Sequence, residues 1–325
     1  MIRILTANIF LTCIFVAAAC SEDAIFDSKV EMVLKAGAGE GPAWHPTRGL
    51  FFSGDGHIMR WKPGEESKPF RIGAGTNGLL FDAQLNLLAC EPKLRRVSRS
   101  RGTSGEIEVL AEKYLGKPFN QPNDIAVDSK GRIYFSDPKY GSRDGLEIRD
   151  ANGREIEGVY RIDRDGTLTM IIAHEVDRPN GLVVSSDDRF LFVADNNNNV
   201  VGGARKLWRF DLDQNGTPKL ESQKLLMDWK DGRGPDGMVL DQKGQIYVAG
   251  GLNKDNRPFE SAKVFKGGVY VLSQSGQLLS HVTVPVDEVT NCTFGGDDLK
   301  TLFITAGGTL WKIRTKTTGS LIWSK

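Results

Sequence analysis

Histidine and cysteine are scarce in this 325-residue chain, with four of each. Cys13 and Cys20 fall in an N-terminal leader, so Cys90 and Cys292 remain, and no C-x-x-C or Cys/His spacing offers a zinc site. Two distant cysteines make no disulfide framework; buried free thiols are expected, a single bridge being the alternative. Charge of one sign is missing as well. Forty-two Lys+Arg face 41 Asp+Glu, a net charge of +1, which excludes nucleic-acid or anionic-membrane binding through bulk charge. There is no G-x-S-x-G elbow, and His45, His57, His174 and His281 show no metal-binding spacing. His45 and His174 read as turn or strand residues. Beyond residue 20 no apolar run is long enough to span a bilayer, and no stretch of ten residues keeps a helical period with caps.

Two apparent motifs also fail. Gly37-Ala-Gly-Glu-Gly41 has neither a βαβ unit nor a Walker lysine. Asp211-Leu-Asp-Gln-Asn-Gly216 opens like an EF-hand, but its twelfth position is Ser222 instead of Glu, so it reads as a hairpin turn, as does Asp163-Arg-Asp-Gly166.

What is present begins with a leader. Arg3, the apolar stretch Ile4 to Ala19 and the small residues Ala17-Ala18-Ala19 before Cys20 have the layout of a signal peptide over residues 1–19. Cys20 is a candidate lipidation site of bacterial lipoprotein type, although Ala17 stands where a leucine is usual. Residues 20–28 read as a short linker and 29–325 as one domain. The chain is thus expected to be exported, either periplasmic or held at the membrane by a lipid anchor alone, with full secretion as the alternative.

Glycine, at 37 residues, is abundant, and a repeat explains it. Glu40-Gly-Pro-Ala, Asn77-Gly-Leu-Leu, Asn123-Asp-Ile-Ala, Asn180-Gly-Leu-Val, Asp236-Gly-Met-Val and Asn291-Cys-Thr-Phe lead six segments. Their leading residues lie 37, 46, 57, 56 and 55 positions apart. Each runs through a turn into a second apolar run such as Ile133-Tyr-Phe135 or Phe190-Leu-Phe192. The fourth repeat resolves into strands over 181–184, 190–194, 206–212 and 221–227, with hairpin chemistry between them. Six repeats of four strands predict an all-β, six-bladed propeller. The last repeat is short, and Val30 to Leu34 is expected to supply its outer strand and close the ring, which removes an exposed sheet edge. The longest departures from the repeat are 137–158 and 250–268, where substrate contacts or tolerated surface variation are both open readings.

The leading residues should ring one end of the central channel. Glu40, Asn77, Asn123, Asn180, Asp236 and Asn291 all carry an oxygen acceptor, and two are carboxylates. Hard cations take such oxygens at about 2.3–2.6 Å with six to eight ligands. Asn or Asp before Gly also caps turns by bonding its own backbone, but that role does not suit Glu40, so a divalent cation is the preferred reading.

These residues resemble a known family. Glu40-Gly-Pro-Ala-Trp44, Gln121-Pro-Asn-Asp124 with Ile133-Tyr-Phe-Ser-Asp-Pro138, Arg178-Pro-Asn-Gly181 and Pro235-Asp-Gly237 are similar to motifs of the gluconolactonase, regucalcin (senescence marker protein) and diisopropylfluorophosphatase family. Cys90-Glu91-Pro92 through Arg96-Val97 and Asn291-Cys-Thr-Phe-Gly295 resemble its bacterial gluconolactonase branch. The resemblance implies a lactone hydrolase acting on a sugar lactone, with one divalent ion in the channel: calcium first, with zinc, manganese and magnesium as alternatives. It implies Glu40, Asn180 and Asp236 as ligands, Asn123 as a ligand or substrate contact, and Asp236 also as general base. Animal members carry Arg where Gln121 stands, which leaves the substrate open; Gln121, Arg178, Asn77 and Asn291 complete the candidate substrate contacts. A small-molecule lactone is the expected partner, with no nucleic acid and with membrane contact only through the N-terminal lipid anchor. Cleavage of phosphotriesters or aryl esters at the same site, and a non-catalytic ligand-binding propeller, are the alternatives.

Overall fold

A computed structural model of the chain describes residues 25–102 and 106–324. The leader and Cys20 lie outside them. Six four-stranded antiparallel sheets follow one another along the chain, accompanied by a two-stranded ribbon, Lys113–Tyr114 with Lys117–Pro118. Blade 1 runs Glu40–His45, Gly49–Gly54, His57–Trp61 and Lys68–Arg71. Blade 4 runs Pro179–Val184, Phe190–Asn196, Arg205–Leu212 and Pro218–Asp228, each strand containing the segment expected from sequence. The inner strands of successive blades touch in a closed ring, that of blade 6, Val289–Gly295, meeting that of blade 1. Outermost in blade 6 is the N-terminal strand Glu31–Leu34, paired antiparallel with Thr309–Arg314 through Glu31↔Lys312 and Met32↔Trp311. The expected closure is therefore present, and this strand makes the last sheet four-stranded.

In blades 1 to 5 the turn that follows the inner strand is built by its own side chain. Asp82 Oδ1 accepts from the Gln84 and Asn86 amides, Asp128 Oδ1 from Lys130 and Arg132, and Asp241 Oδ1 from Lys243 and Gln245, at 2.9–3.0 Å. Ser185 Oγ does the same for Arg189 and Phe190 in blade 4, and His45 Nδ1 for Thr47 and Arg48 in blade 1. Short side chains that satisfy turn amides are what aspartate and serine supply there. His45 is accordingly a turn residue, and His174 pairs with Asp150 on the surface.

Second strands lie between blades and are buried on both faces: Leu191–Ala194 and Ile246–Gly250 expose nothing. Outer strands are more open; Ile107–Ala111 exposes Ile107 and Val109 while Ala111 is buried. Aromatic rings fill the seams, with Trp44 of blade 1 stacked on Phe303 of blade 6 at 5.6 Å and Phe135 on Tyr160 at 5.3 Å. Burying one such ring stabilises by about 1.5–3 kcal/mol, and Phe192→Ala, at a fully buried ring, would cost about 3–5 kcal/mol. Cys90 and Cys292 are buried and unpaired, as expected.

The C-terminal tail does something no repeat foretells. Ser320 donates its amide to the Leu240 carbonyl, and Gly319 to Leu299, carrying Leu321 across the end of the inner strands away from the leading residues. A cavity of about 70 Å³ lined by Leu80, Ile125, Leu182, Met238 and Leu321 is left beneath it. The channel is covered at that end by apolar side chains.

Candidate active site

In four of the six blades the leading residue is aimed by a local irregularity of its strand. Between Glu40 and Ala43, Pro179 and Leu182, and Pro235 and Met238, the inner strand gains one residue on its partner; blade 6 does the same between Val289 and Asn291. A bulge of this kind turns a side chain away from its alternating face. In blades 2 and 3 the leading residues Asn77 and Asn123 precede the inner strands Leu79–Phe81 and Ile125–Val127, tied back by the Asn77 and Asn123 amides to the Cys90 and Ser136 carbonyls. The following glycine lets neighbouring blades approach. A Cβ on Gly41 would lie 2.2 Å from the Asn77 carbonyl oxygen, and one on Gly181 would lie 2.2 Å from that of Asp236. Gly41 also holds a φ of 51°, which favours glycine.

Asn123, Asn180, Asp236 and Asn291 are all buried, and Glu40 and Asn77 are half-buried. Glu40, Asp236 and Asn291 come together: burial first, then the negative charges of Asp236 and Asp124, push Glu40 well above the usual carboxylate range, while Asn291 and the Gly41 amide oppose the shift. Asp236 is raised to about 7 by burial and by Asp124, against the Arg233 guanidinium and a hydrogen bond from Asn180. Asn77 is the outlying member; its carbonyl accepts from Ser53 Oγ at 2.6 Å.

Asp124 was not among the candidates drawn from sequence. It stands in blade 3 where four other blades have glycine, and that substitution was the available signal. Its Oδ1 accepts from the Ile125 amide at 3.0 Å, its carboxylate meets the Asn291 amide, and burial pushes it up to about 7. Arg233 and Tyr140 were missed too. Arg233 feels the charge of Asp236 most and is backed at 3.6 Å by Glu260 of the 250–268 insertion. Tyr140 comes from the 137–158 insertion, and its hydroxyl accepts from Asn180 Nδ2 at 2.8 Å. Both insertions thus reach the centre.

Gln121 and Arg178 are engaged within the protein. Gln121 Oε1 accepts from the Tyr140 amide at 3.1 Å. Arg178 donates to Glu157 at 3.2 Å and lies 5.6 Å from the Tyr140 ring centre, while Glu157 also pairs with Arg143 at 2.6 Å.

Glu40, Asp124 and Asp236, with Arg233 as the facing cation, make a donor set suited to a hard, oxygen-ligated cation, which would relieve the repulsion that Glu40 feels from Asp236 and Asp124, and Asp236 from Asp124. Among the described residues no three His, Cys, Asp or Glu side chains are grouped closely enough to hold an ion by themselves. A cation here therefore depends on asparagine amide oxygens as well.

The model of one protein family, the SMP-30/Gluconolactonase/LRE-like region, matches residues 38–308. The gluconolactonase of Zymomonas mobilis is 29% identical over 305 residues, covering 86% of this chain and 79% of that one. The pentonolactonase XacC of Haloferax volcanii is 26% identical over 280 residues, covering 83% and 81%. Among solved structures, a gluconolactonase of Xanthomonas campestris superimposes with a TM-score of 0.70 at 29% identity, over 88% of this chain and 89% of that one.

Proposed function

The chain belongs to the SMP-30/gluconolactonase/LRE-like family, and on that premise we propose that it is a metal-dependent hydrolase that opens a lactone ring, with a sugar lactone as substrate. The observation that carries this reading is the convergence of Glu40, Asp124 and Asp236 with the amides of Asn180 and Asn291 at one buried centre. Likeness to lactonases along most of the chain supports it. Glu40, Asn180 and Asp236 would hold the cation, Asn123 completing the set or meeting the substrate, and calcium suits an all-oxygen donor set best. When bound, such an ion polarises the lactone carbonyl and acidifies nearby water.

The side chains supply the rest. Asp236 accepts a proton from the attacking water as its oxygen bonds to the carbonyl carbon. The ring C–O bond then breaks, and the departing alkoxide takes back the proton held by Asp236, leaving the hydroxy acid and the Asp236 carboxylate. Asn123 and Asn77 would present amides to the substrate's hydroxyls around the mouth, while Asn291 is held by Glu40, Asp124 and the Cys292 amide. A paired carboxylate centre of this kind has no use in simple ligand binding, which favours hydrolysis over a non-catalytic propeller.

The test is a hydrolysis screen of the mature protein on aldonolactones and aryl esters, with and without chelator. Ring opening of aldonolactones that disappears with chelator and returns with calcium is expected. Full activity in chelator would overturn the metal dependence. Turnover of aryl esters alone would move the protein to the esterase reading, and saturable lactone binding without turnover to a binding role.

A further inference from the structure

An asparagine that faces a cation has a problem a carboxylate does not. Its amide shows a lone-pair oxygen on one side and two N–H donors on the other, and a 180° turn replaces an attractive ligand by a repulsive one. Something has to choose between the two orientations. At Asn180 the choice is made by a residue of the 137–158 insertion.

The Tyr140 hydroxyl donates its proton to the Asn196 carbonyl oxygen at 3.2 Å. With that proton committed, the phenol oxygen can only accept from Asn180, and Asn180 Nδ2 donates to it at 2.8 Å. The Asp236 carboxylate also accepts from the Asn180 amide. Both acceptors call for the nitrogen on the protein side, which leaves Oδ1 as the atom available to a cation. We propose that Tyr140 is a positioning residue that fixes the Asn180 amide with its oxygen, not its nitrogen, free to ligate.

Tyr140 is itself held firmly enough for the task. Its amide donates to Gln121 Oε1 at 3.1 Å, its ring lies 5.6 Å from the Arg178 guanidinium, and the neighbouring Lys139 amide donates to Glu157 at 2.5 Å. Gln121 and Arg178 lead into blades 3 and 4, so the insertion is pinned on both sides of the site it serves. Side chains with supporting partners of this kind hold a ligand's orientation where a free side chain would not.

The role presupposes that Asn180 ligates the cation, and the experiment separates the two ideas. Calcium is titrated calorimetrically into chelator-stripped wild type, Tyr140→Phe, Asn180→Ala and the double variant. Tyr140→Phe keeps the ring and removes only the hydroxyl; metal-free, it should still unfold in one cooperative transition, with some stability lost for the two hydrogen bonds left unmade at Asn196 and Asn180. Its calcium affinity should fall about three- to tenfold, the range of one neutral hydrogen bond. Asn180→Ala should lose more, and adding Tyr140→Phe to it should change affinity by less than about twofold, because distinct residues acting through one contact are not additive. Unchanged affinity in Tyr140→Phe would overturn the proposal, as would an equal loss in the Asn180→Ala background. Should Tyr140→Phe fail to fold, the same comparison made with Gln121→Ala, which frees the Tyr140 amide, must show the loss only where Asn180 is present. Wild type that binds no calcium would instead remove the cation reading, and this role with it.

Discussion

Gly237→Ala probes the ring of leading residues most directly. A Cβ on Gly237 would lie 2.0 Å from Asn291 Cγ and 2.2 Å from both Nδ2 and Oδ1, against 3.4–4 Å for ordinary contact. The Asn291 side chain must therefore retreat by well over an ångström. It is not free to do so: its Oδ1 accepts from the Cys292 amide at 2.8 Å, and its amide meets Glu40 and Asp124. Gly237 does not use the left-handed backbone that Gly41 needs, so the effect of an alanine here is steric. Overpacking of this kind costs about 1–3 kcal/mol, offset by about 0.4–1 kcal/mol from the stiffer unfolded chain. A net loss of about 1–2 kcal/mol should appear in urea unfolding of the metal-stripped protein, followed by tryptophan fluorescence. Asn291→Ala deletes all three clashing atoms, so in that background Gly237→Ala should be neutral or stabilising. Equal costs in the two backgrounds would refute the geometry.

Three further outcomes follow from the same structure. At saturating calcium, Asp236→Asn keeps an amide oxygen but cannot take a proton, so kcat for aldonolactones should fall about 10²–10⁴-fold, whereas Asn77→Ala, outside the carboxylate cluster, should lose far less; near-wild-type turnover by Asp236→Asn would make it a ligand only. Asp137 is buried and raised to about 8, chiefly by burial, with the Asn120 and Gln121 amides and Arg95 opposing and Glu157 adding. Its folded pKa lies above the unfolded value near 4, so its contribution is complete below about pH 4 and lost as pH rises through about 8; Asp137→Asn should be more stable than wild type at pH 8–9, and pH-independent relative stability would contradict this. Expressed at full length in a bacterium, the chain should be recovered without residues 1–19, lipidated at Cys20 or not, and an intact cytoplasmic chain by mass spectrometry would count against export.

The propeller was legible because its signals repeat. One Asn-Gly beside an apolar run is ambiguous, but six such segments in order, each followed by a second apolar run, agree with a single architecture. Even the closing strand could be read, since the sixth repeat lacked an outer strand and Val30 to Leu34 was unclaimed. The tail across the channel's far end could not be. Leu321 is one apolar residue without a period, and its burial depends on contacts with strands distant in sequence. The site divides along the same line. Residues at the repeat position could be nominated, since a shared register marks them. Asp124 was hidden one place further on, and Tyr140 and Arg233 act through insertions and flanks that have no counterpart in other blades.

Glu40, Asp124 and Asp236 oppose folding in their charged forms, because burial disfavours all three and repulsion adds to it at Glu40, from Asp236 and Asp124, and at Asp236, from Asp124. The surroundings offset this only in part: Arg233 faces Asp236, while Asn180, Asn291 and backbone amides donate to the cluster. Strands buried on both faces and a ring closed by the N-terminal strand supply the stability that the centre withholds. The same arrangement makes the centre useful. Bulges of the inner strand set the leading side chains in four blades, and the closed ring fixes their places relative to one another. Tolerance for sequence change should therefore be unequal within a single blade. The partly exposed outer strand can vary, whereas the few residues from the leading position to the end of the bulge answer both to the neighbouring blade and to the centre.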